Sequence, residues 1–226
     1  MAPLKTMLFV SLLTWGIASP IRSADVVALP RKAAPSPGRD ETYAGVTVLY
    51  DAIRDGAGNR LRLIATHPNA PNMRFPVIYV IGWLSCDTVE AHAGMTDATQ
   101  LMLRSIATLP GFATVRLEKP GVGDSEGNCA TTDFKTELAA YQQAFQHLSS
   151  YAFIDTSAIF LFGISNGGGF APLVADGAAV KGYVIDGGWI KTWYEHMLEI
   201  ERRRRSLARS RRKRNQSPHE VGGVAL

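Results

Sequence analysis

The segment Gly163-Ile164-Ser165-Asn166-Gly167 constrains this chain more than any other. It joins an apolar run, Ala158-Ile159-Phe160-Leu161-Phe162, to a run of small residues, Gly168-Gly169-Phe170-Ala171-Pro172-Leu173-Val174-Ala175. A strand, a sharp turn and a helix in that order read as a nucleophile elbow. The serine then occupies a strained backbone conformation, Gly163 and Gly167 avoid steric clash, and Ser165 Oγ is pushed out at the top of a sheet. The five-residue pattern alone is cheap, so the strand–turn–helix context carries the reading. The blander alternative is a glycine-rich turn without chemistry, or a phosphate cradle at a helix start. A dinucleotide site is disfavoured, because the glycines do not fall as G-x-G-x-x-G after the first strand and no acidic residue follows at the usual interval.

The 226 residues favour one domain, and 46% hydrophobic residues with a mean hydropathy near zero fit a chain with a real core. The formal charge of +4 describes the tail and not the body. Nine of the 24 basic residues but two of the 20 acidic ones lie in 201–226, so the first 200 residues carry about −3. At the other end, Lys5 precedes an apolar stretch from Met7 to Ala18, with small residues at Ala18 and Ala24. This predicts a cleaved signal over 1–24 and a secreted or periplasmic protein. The apolar run is shorter than the ~20 residues a membrane-spanning helix needs, so no stable membrane span is expected. In an exported chain Cys86 and Cys129 can pair, the alternative being two free buried thiols. Neither has a neighbour at metal-ligand spacing, and no metal or cofactor is expected.

A Pro- and Ala-rich linker is expected over 25–41. Thr42–Tyr50 and Arg60–Ala65 flank Asp55-Gly56-Ala57-Gly58-Asn59, a hairpin signal. Strands are predicted at 76–81, 112–117 and 158–162, with a further buried one at 180–185, and helices at 96–108 and 132–148. Strands alternating with helices predict an α/β fold: a mostly parallel, doubly wound sheet with the hairpin as its antiparallel edge. The stretch 189–200 is predicted as a helix with rows Trp189/Trp193/Met197 and Ile190/Tyr194/Leu198, read either as a lid over an apolar pocket or as ordinary core packing.

Three segments together resemble the α/β-hydrolase superfamily. They are the elbow Phe162–Gly168, the Gly82-Trp83 turn after the 76–81 strand, and Glu118-Lys119-Pro120-Gly121-Val122-Gly123-Asp124-Ser125-Glu126-Gly127, similar to a D-x-P-G-x-G-x-S loop with Glu118 where Asp is common. The resemblance covers roughly 42–200 and is nearest to secreted esterase-like and serine-peptidase-like members. It implies hydrolysis of an ester, amide or related acyl bond in a small-molecule or peptide substrate. Ser165 would be the nucleophile, and the oxyanion would be held by the backbone N–H of Asn166 and that of Trp83 or Leu84. A Cys86–Cys129 bond would preorganise that hole.

The superfamily's acid and histidine follow the serine on loops after two further strands. Here 61 residues follow Ser165, and their histidines are His196, inside the apolar helix, and His219, in a polar tail. His67, His92 and His147 precede the elbow, and Asp186 ends the last strand, where a turn residue is the commoner reading. The acid and base are therefore unassigned, and the frame reads as truncated or altered after about Ile200. The basic tail 201–226 is expected to be disordered. Without aromatics among its charges it does not read as a nucleic-acid binder, and the remaining possibilities for the chain are a non-catalytic binding protein or an interaction protein acting through this tail.

Overall fold

The computed structural model describes residues 41–91, 94–188 and 191–216. The expected signal at 1–24, linker residues 25–40, His92, Trp189, Ile190 and the tail beyond Gln216 lie outside them. Six strands form one sheet in the order β1-β2-β4-β3-β5-β6. β1 (Val46–Arg54) and β2 (Arg60–Pro68) make the antiparallel hairpin. Its turn is closed by Asp55, whose Oδ1 accepts the N–H groups of Ala57 at 2.9 Å and Asn59 at 2.8 Å. β2 pairs antiparallel with β4 (Ala113–Leu117). From β4 onward the pairing is parallel: β3 (Phe75–Ile81), β5 (Ile154–Ile164) and β6 (Gly182–Asp186).

Side chains alternate between the two sheet faces, and the two faces differ in chemistry. Leu61, Leu63, Val77, Tyr79, Ile81, Val115 and Leu161 point to one, where α2 (Phe134–His147) and α3 (Gly167–Ala175) bury Tyr141, Phe170 and Val174 against them. On the other, under α1 (Ala98–Ala107), Thr66 Oγ1 donates to the Ala107 carbonyl at 2.9 Å and meets Thr114 Oγ1 at 2.6 Å. Asp97 and Asp133 cap α1 and α2, accepting from the N–H groups of Gln100 and Thr136.

That second face also holds buried charge. Arg116, from the middle of β4, grips Glu41 with two bonds of 2.7 and 2.6 Å, and neither side chain is exposed at all. Glu41 thus departs from the linker expected over 25–41: it is 4% exposed and fixes the chain ahead of β1. Arg62 of β2 reaches Glu90 at 2.8 Å, Glu118 at 3.3 Å and Asp124 at 3.0 Å.

Two further expectations are corrected. β6 forms where a buried strand was expected, yet Tyr183, Val184 and Ile185 are 46%, 55% and 46% exposed. Its apolar composition suits an interior strand, but among the described residues it has a pairing partner on one side alone, β5. The helix expected over 189–200 with a disordered basic tail after it is instead α4, running from Trp193 to Gln216 through the arginine run. It starts at Trp193 because Thr192 and Glu195 form a reciprocal cap: Thr192 N–H donates to Glu195 Oε2 at 3.1 Å, and Glu195 N–H to Thr192 Oγ1 at 3.3 Å. Arginine is a good helix former, and Glu199 to Arg203 is a favourable i,i+4 pair. No helix of the described residues is long and apolar enough to cross a membrane.

Candidate active site

Ser165 stands at the C-terminal end of β5, immediately before α3, with φ +54°. A side chain in the left-handed region costs on the order of 1 kcal/mol or more, which the surroundings must hold in place. They do so from three sides. The Ser165 N–H donates to the Asp186 carbonyl at the end of β6 at 2.7 Å, and its carbonyl accepts the Gly168 N–H at 3.0 Å. A Cβ on Gly163 would meet the Gly167 carbonyl oxygen at 2.5 Å. A Cβ on Gly167 would fall on the Ile81 carbonyl oxygen, so the turn lies flush against the end of β3. The two flanking glycines are thus required by close backbone approach, as the sequence pattern demands.

This contact brings the Gly82–Cys86 loop beside the serine, where the second oxyanion donor was expected. Three contacts fix the loop. Tyr141 Oη accepts the Gly82 N–H at 3.2 Å, Lys119 Nζ donates to the Leu84 carbonyl at 3.2 Å, and Cys86 is bonded to Cys129. With the Gly82 N–H occupied, Trp83 and Leu84 remain the candidate donors on this side, opposite the Asn166 N–H at the start of α3. Lys119 is itself positioned by Glu137 at 2.9 Å. The disulfide closes a 43-residue separation across the rim of the site. Replacing both cysteines with serine is expected to lower stability by about 3 kcal/mol, read from urea unfolding of the oxidised chain and the variant.

Beside this loop lies a charge cluster in which Arg62 joins Glu118 and Asp124 of the motif loop to Glu90, a link the motif does not show. Glu118 is fully buried and receives Thr88 Oγ1, the Val89 N–H at 3.1 Å and Arg62 Nη2 at 3.3 Å. Burial pushes its carboxyl above the ordinary value, and the bonds from Thr88 and Arg62 only partly offset that. Ser125 Oγ accepts the Arg62 N–H at 2.9 Å. The Glu118–Gly127 loop therefore ties β2, β4 and the segment after β3 into one rim. The visible signal was charged residues inside otherwise apolar strand runs, Arg62 and Arg116.

An open cleft of about 610 Å³ runs along this rim, lined among others by Trp83, Asp87, Asp97, Met102, Ile164 and Asp186. Asp186 thus both terminates β6 and lines the cleft, and its carbonyl holds the Ser165 N–H. The histidines are less well placed. His147 Nε2 meets Asp51 at 3.0 Å and Ser150 Oγ at 3.2 Å, a Ser–His–Asp grouping by composition. It is not a triad, since serine and acid share one ring nitrogen where relay needs one on each. It also lies at the end of α2 beside Tyr151, ahead of β5, while the elbow follows the far end of that strand, whose eleven residues span roughly 30 Å. Burial raises the Asp51 carboxyl, but bonds from His147, the Ala52 N–H and Tyr151 outweigh it and hold that carboxyl below its ordinary range. His67 stacks on Phe153 at 4.2 Å, and His196 lies within α4, beside Trp193. Among the described residues no group of three or more His, Cys, Asp or Glu is arranged to hold a metal ion.

No family model matches the chain, and no curated protein matches it in sequence. Solved structures do resemble it. The hypothetical protein PA2218 from Pseudomonas aeruginosa superposes with a TM-score of 0.57 at 18% identity, over 71% of this chain and 49% of that one. DcsB, in complex with its substrate analogue, gives 0.51 at 20% identity, over 72% and 55%. An acetyl xylan esterase from Paenibacillus sp. R4 gives 0.47 at 16% identity, over 60% and 46%. At these identities the likeness is one of fold, and the chain spans about half the length of these structures. A six-stranded mixed sheet flanked by helices, with the strand–turn–helix elbow at the end of β5, is an α/β-hydrolase-like fold.

Proposed function

We propose that this chain is a serine hydrolase that cleaves an ester, amide or related acyl bond through Ser165. The observation that carries the reading is the positive φ of Ser165 at the tip of β5, held against the end of β3. Strain of this kind in a non-glycine residue is kept where a side chain must be presented. Ser165 Oγ attacks the acyl carbon, the carbonyl π pair moves onto oxygen, and that oxygen accepts N–H bonds from Asn166 and from Trp83 or Leu84. The base that takes the serine proton is left unassigned. The N-terminal apolar stretch and the disulfide support an exported protein.

A second reading, a binding protein that keeps the fold without turnover, is favoured by the placement of His67 and His147 away from the elbow. A fluorophosphonate probe separates the two. Labelling mapped to Ser165 and lost in Ser165→Ala is the expected result, and an unlabelled folded chain would leave the binding reading standing. The same strain makes a second prediction. Ser165→Gly is expected to raise stability by about 1 kcal/mol in thermal melts while abolishing labelling, because glycine adopts the left-handed region without penalty.

A further inference from the structure

Helix α4 is built for a surface other than the body of this protein. At 1.5 Å per residue its 24 residues extend about 36 Å. Over 193–212 every side chain is exposed except those of His196, Glu199 and Glu201, which are half-buried. A helix that buries so little draws almost none of its stability from packing. Its composition is divided along its length. The first half exposes Trp193, Met197 and Ile200, at spacings of four and three residues that put them on one strip, and Leu207 continues that strip seven residues on. Trp193 is 49% exposed and Leu207 65%. From Arg202 to Arg214 the helix carries eight arginines and one lysine with no acidic residue among them. All three acids before that run are engaged, Glu195 in the Thr192 cap, Glu199 with Arg203 and Glu201 with Arg204.

We propose that α4 lies in the plane of an anionic phospholipid surface, its apolar strip at the acyl boundary and its arginines on the phosphates. The two halves require two phases side by side, an apolar layer and a dense anionic layer, and a lipid–water interface supplies both. Arg204 and Arg211 fall close to the Trp193 strip by helical spacing, and their long stems allow the charged ends to reach the headgroups while the stems lie along the apolar layer. Duplex nucleic acid offers the phosphates but no layer for Trp193 and Met197, and no aromatic side chain stands within the arginine run to stack on bases. The charge on the helix, nine basic residues against three acidic, suits a partner of high negative charge density.

The test is sedimentation of the whole chain with vesicles of phosphatidylcholine alone and of phosphatidylcholine mixed with phosphatidylglycerol. Binding is expected to the mixed vesicles and to weaken steeply as salt rises. Replacing Arg202, Arg203, Arg204 and Arg205 together with glutamine is expected to weaken it by about a hundredfold or more. Trp193→Ala with Met197→Ala is expected to cost about tenfold at low salt, where charge is least screened. These residues are exposed, so folding of the body is not at stake. Equal binding to both vesicle types, or unchanged binding by the four-glutamine variant, would overturn the proposal. So would a DNA duplex that binds as tightly as the mixed vesicles and is indifferent to the Trp193/Met197 change.

Discussion

Gly167→Ala is expected to cost about 4 kcal/mol or more and to remove Ser165 reactivity with it. The added methyl would land on the Ile81 carbonyl oxygen and lie 2.5 Å from that of Gly82. Both obstacles are backbone, at the buried end of an interior strand, so no side chain can rotate away. Relief requires moving the start of α3 away from β3 or tilting β3 itself. Either one opens the contact that brings the Gly82–Cys86 loop to the serine. Overpacking usually costs 1–3 kcal/mol because neighbours yield, and two rigid carbonyls put this site beyond that range. For a chain of this size the loss corresponds to a drop of about 8–16 °C in melting temperature. Gly169→Ala is the matched control. It lies two residues further along the same helix, with nothing within 4 Å of the added atom, and is expected to stabilise by about 0.5–1 kcal/mol through helix propensity. Similar melts for the two variants would mean that the elbow is not wedged against β3.

The contrast between those glycines marks what could be read from the chain. The elbow was legible because its requirements are local: an apolar strand, small residues at fixed offsets and a helix start all fall within about twenty consecutive positions. The hairpin was legible for the same reason, since Asp55 closes its turn over residues 57 and 59. Glu41 was not, because its partner is 75 positions away and nothing near it in sequence differs from a linker end. The run that became β6 was correctly read as a strand and wrongly as buried, since apolar composition reports what a strand suits and not which neighbours it has. In α4 the start at Trp193 was encoded in the pair Thr192 and Glu195, which the longer apolar run from Trp189 obscured. The continuation through the arginines departs from the disordered tail expected of a charged run, because arginine's helix propensity and the Glu199–Arg203 pair favour the helix. At the site, the serine and its glycines came from sequence. The supports from Tyr141, Lys119 and Glu118 are long-range contacts that only folding brings together.

Arg116→Met is expected to destabilise the chain by about 3–5 kcal/mol, measured by urea unfolding, although methionine fills much of the same volume. The reason is the partner left behind. Glu41 would keep the Tyr43 hydroxyl at 3.0 Å and the Ala91 N–H at 2.5 Å but lose both guanidinium bonds, in a position with no exposed side-chain area. The Val89 carbonyl, which accepts from Arg116 at 2.8 Å, would lose that donor as well. Arg116→Lys would restore charge but not the two-pronged geometry, and is expected to recover only part of the loss. Removing the charge on both sides, with Arg116→Met and Glu41→Leu together, is expected to regain most of it, since a buried pair costs nearly as much to desolvate as its attraction returns. If the double variant were as unstable as the single one, the pair would matter through the hydrogen bonds it makes to Val89, Ala91 and Tyr43. The segment ahead of β1 would then be held by that polar frame, and the charge–charge contact would be secondary to it.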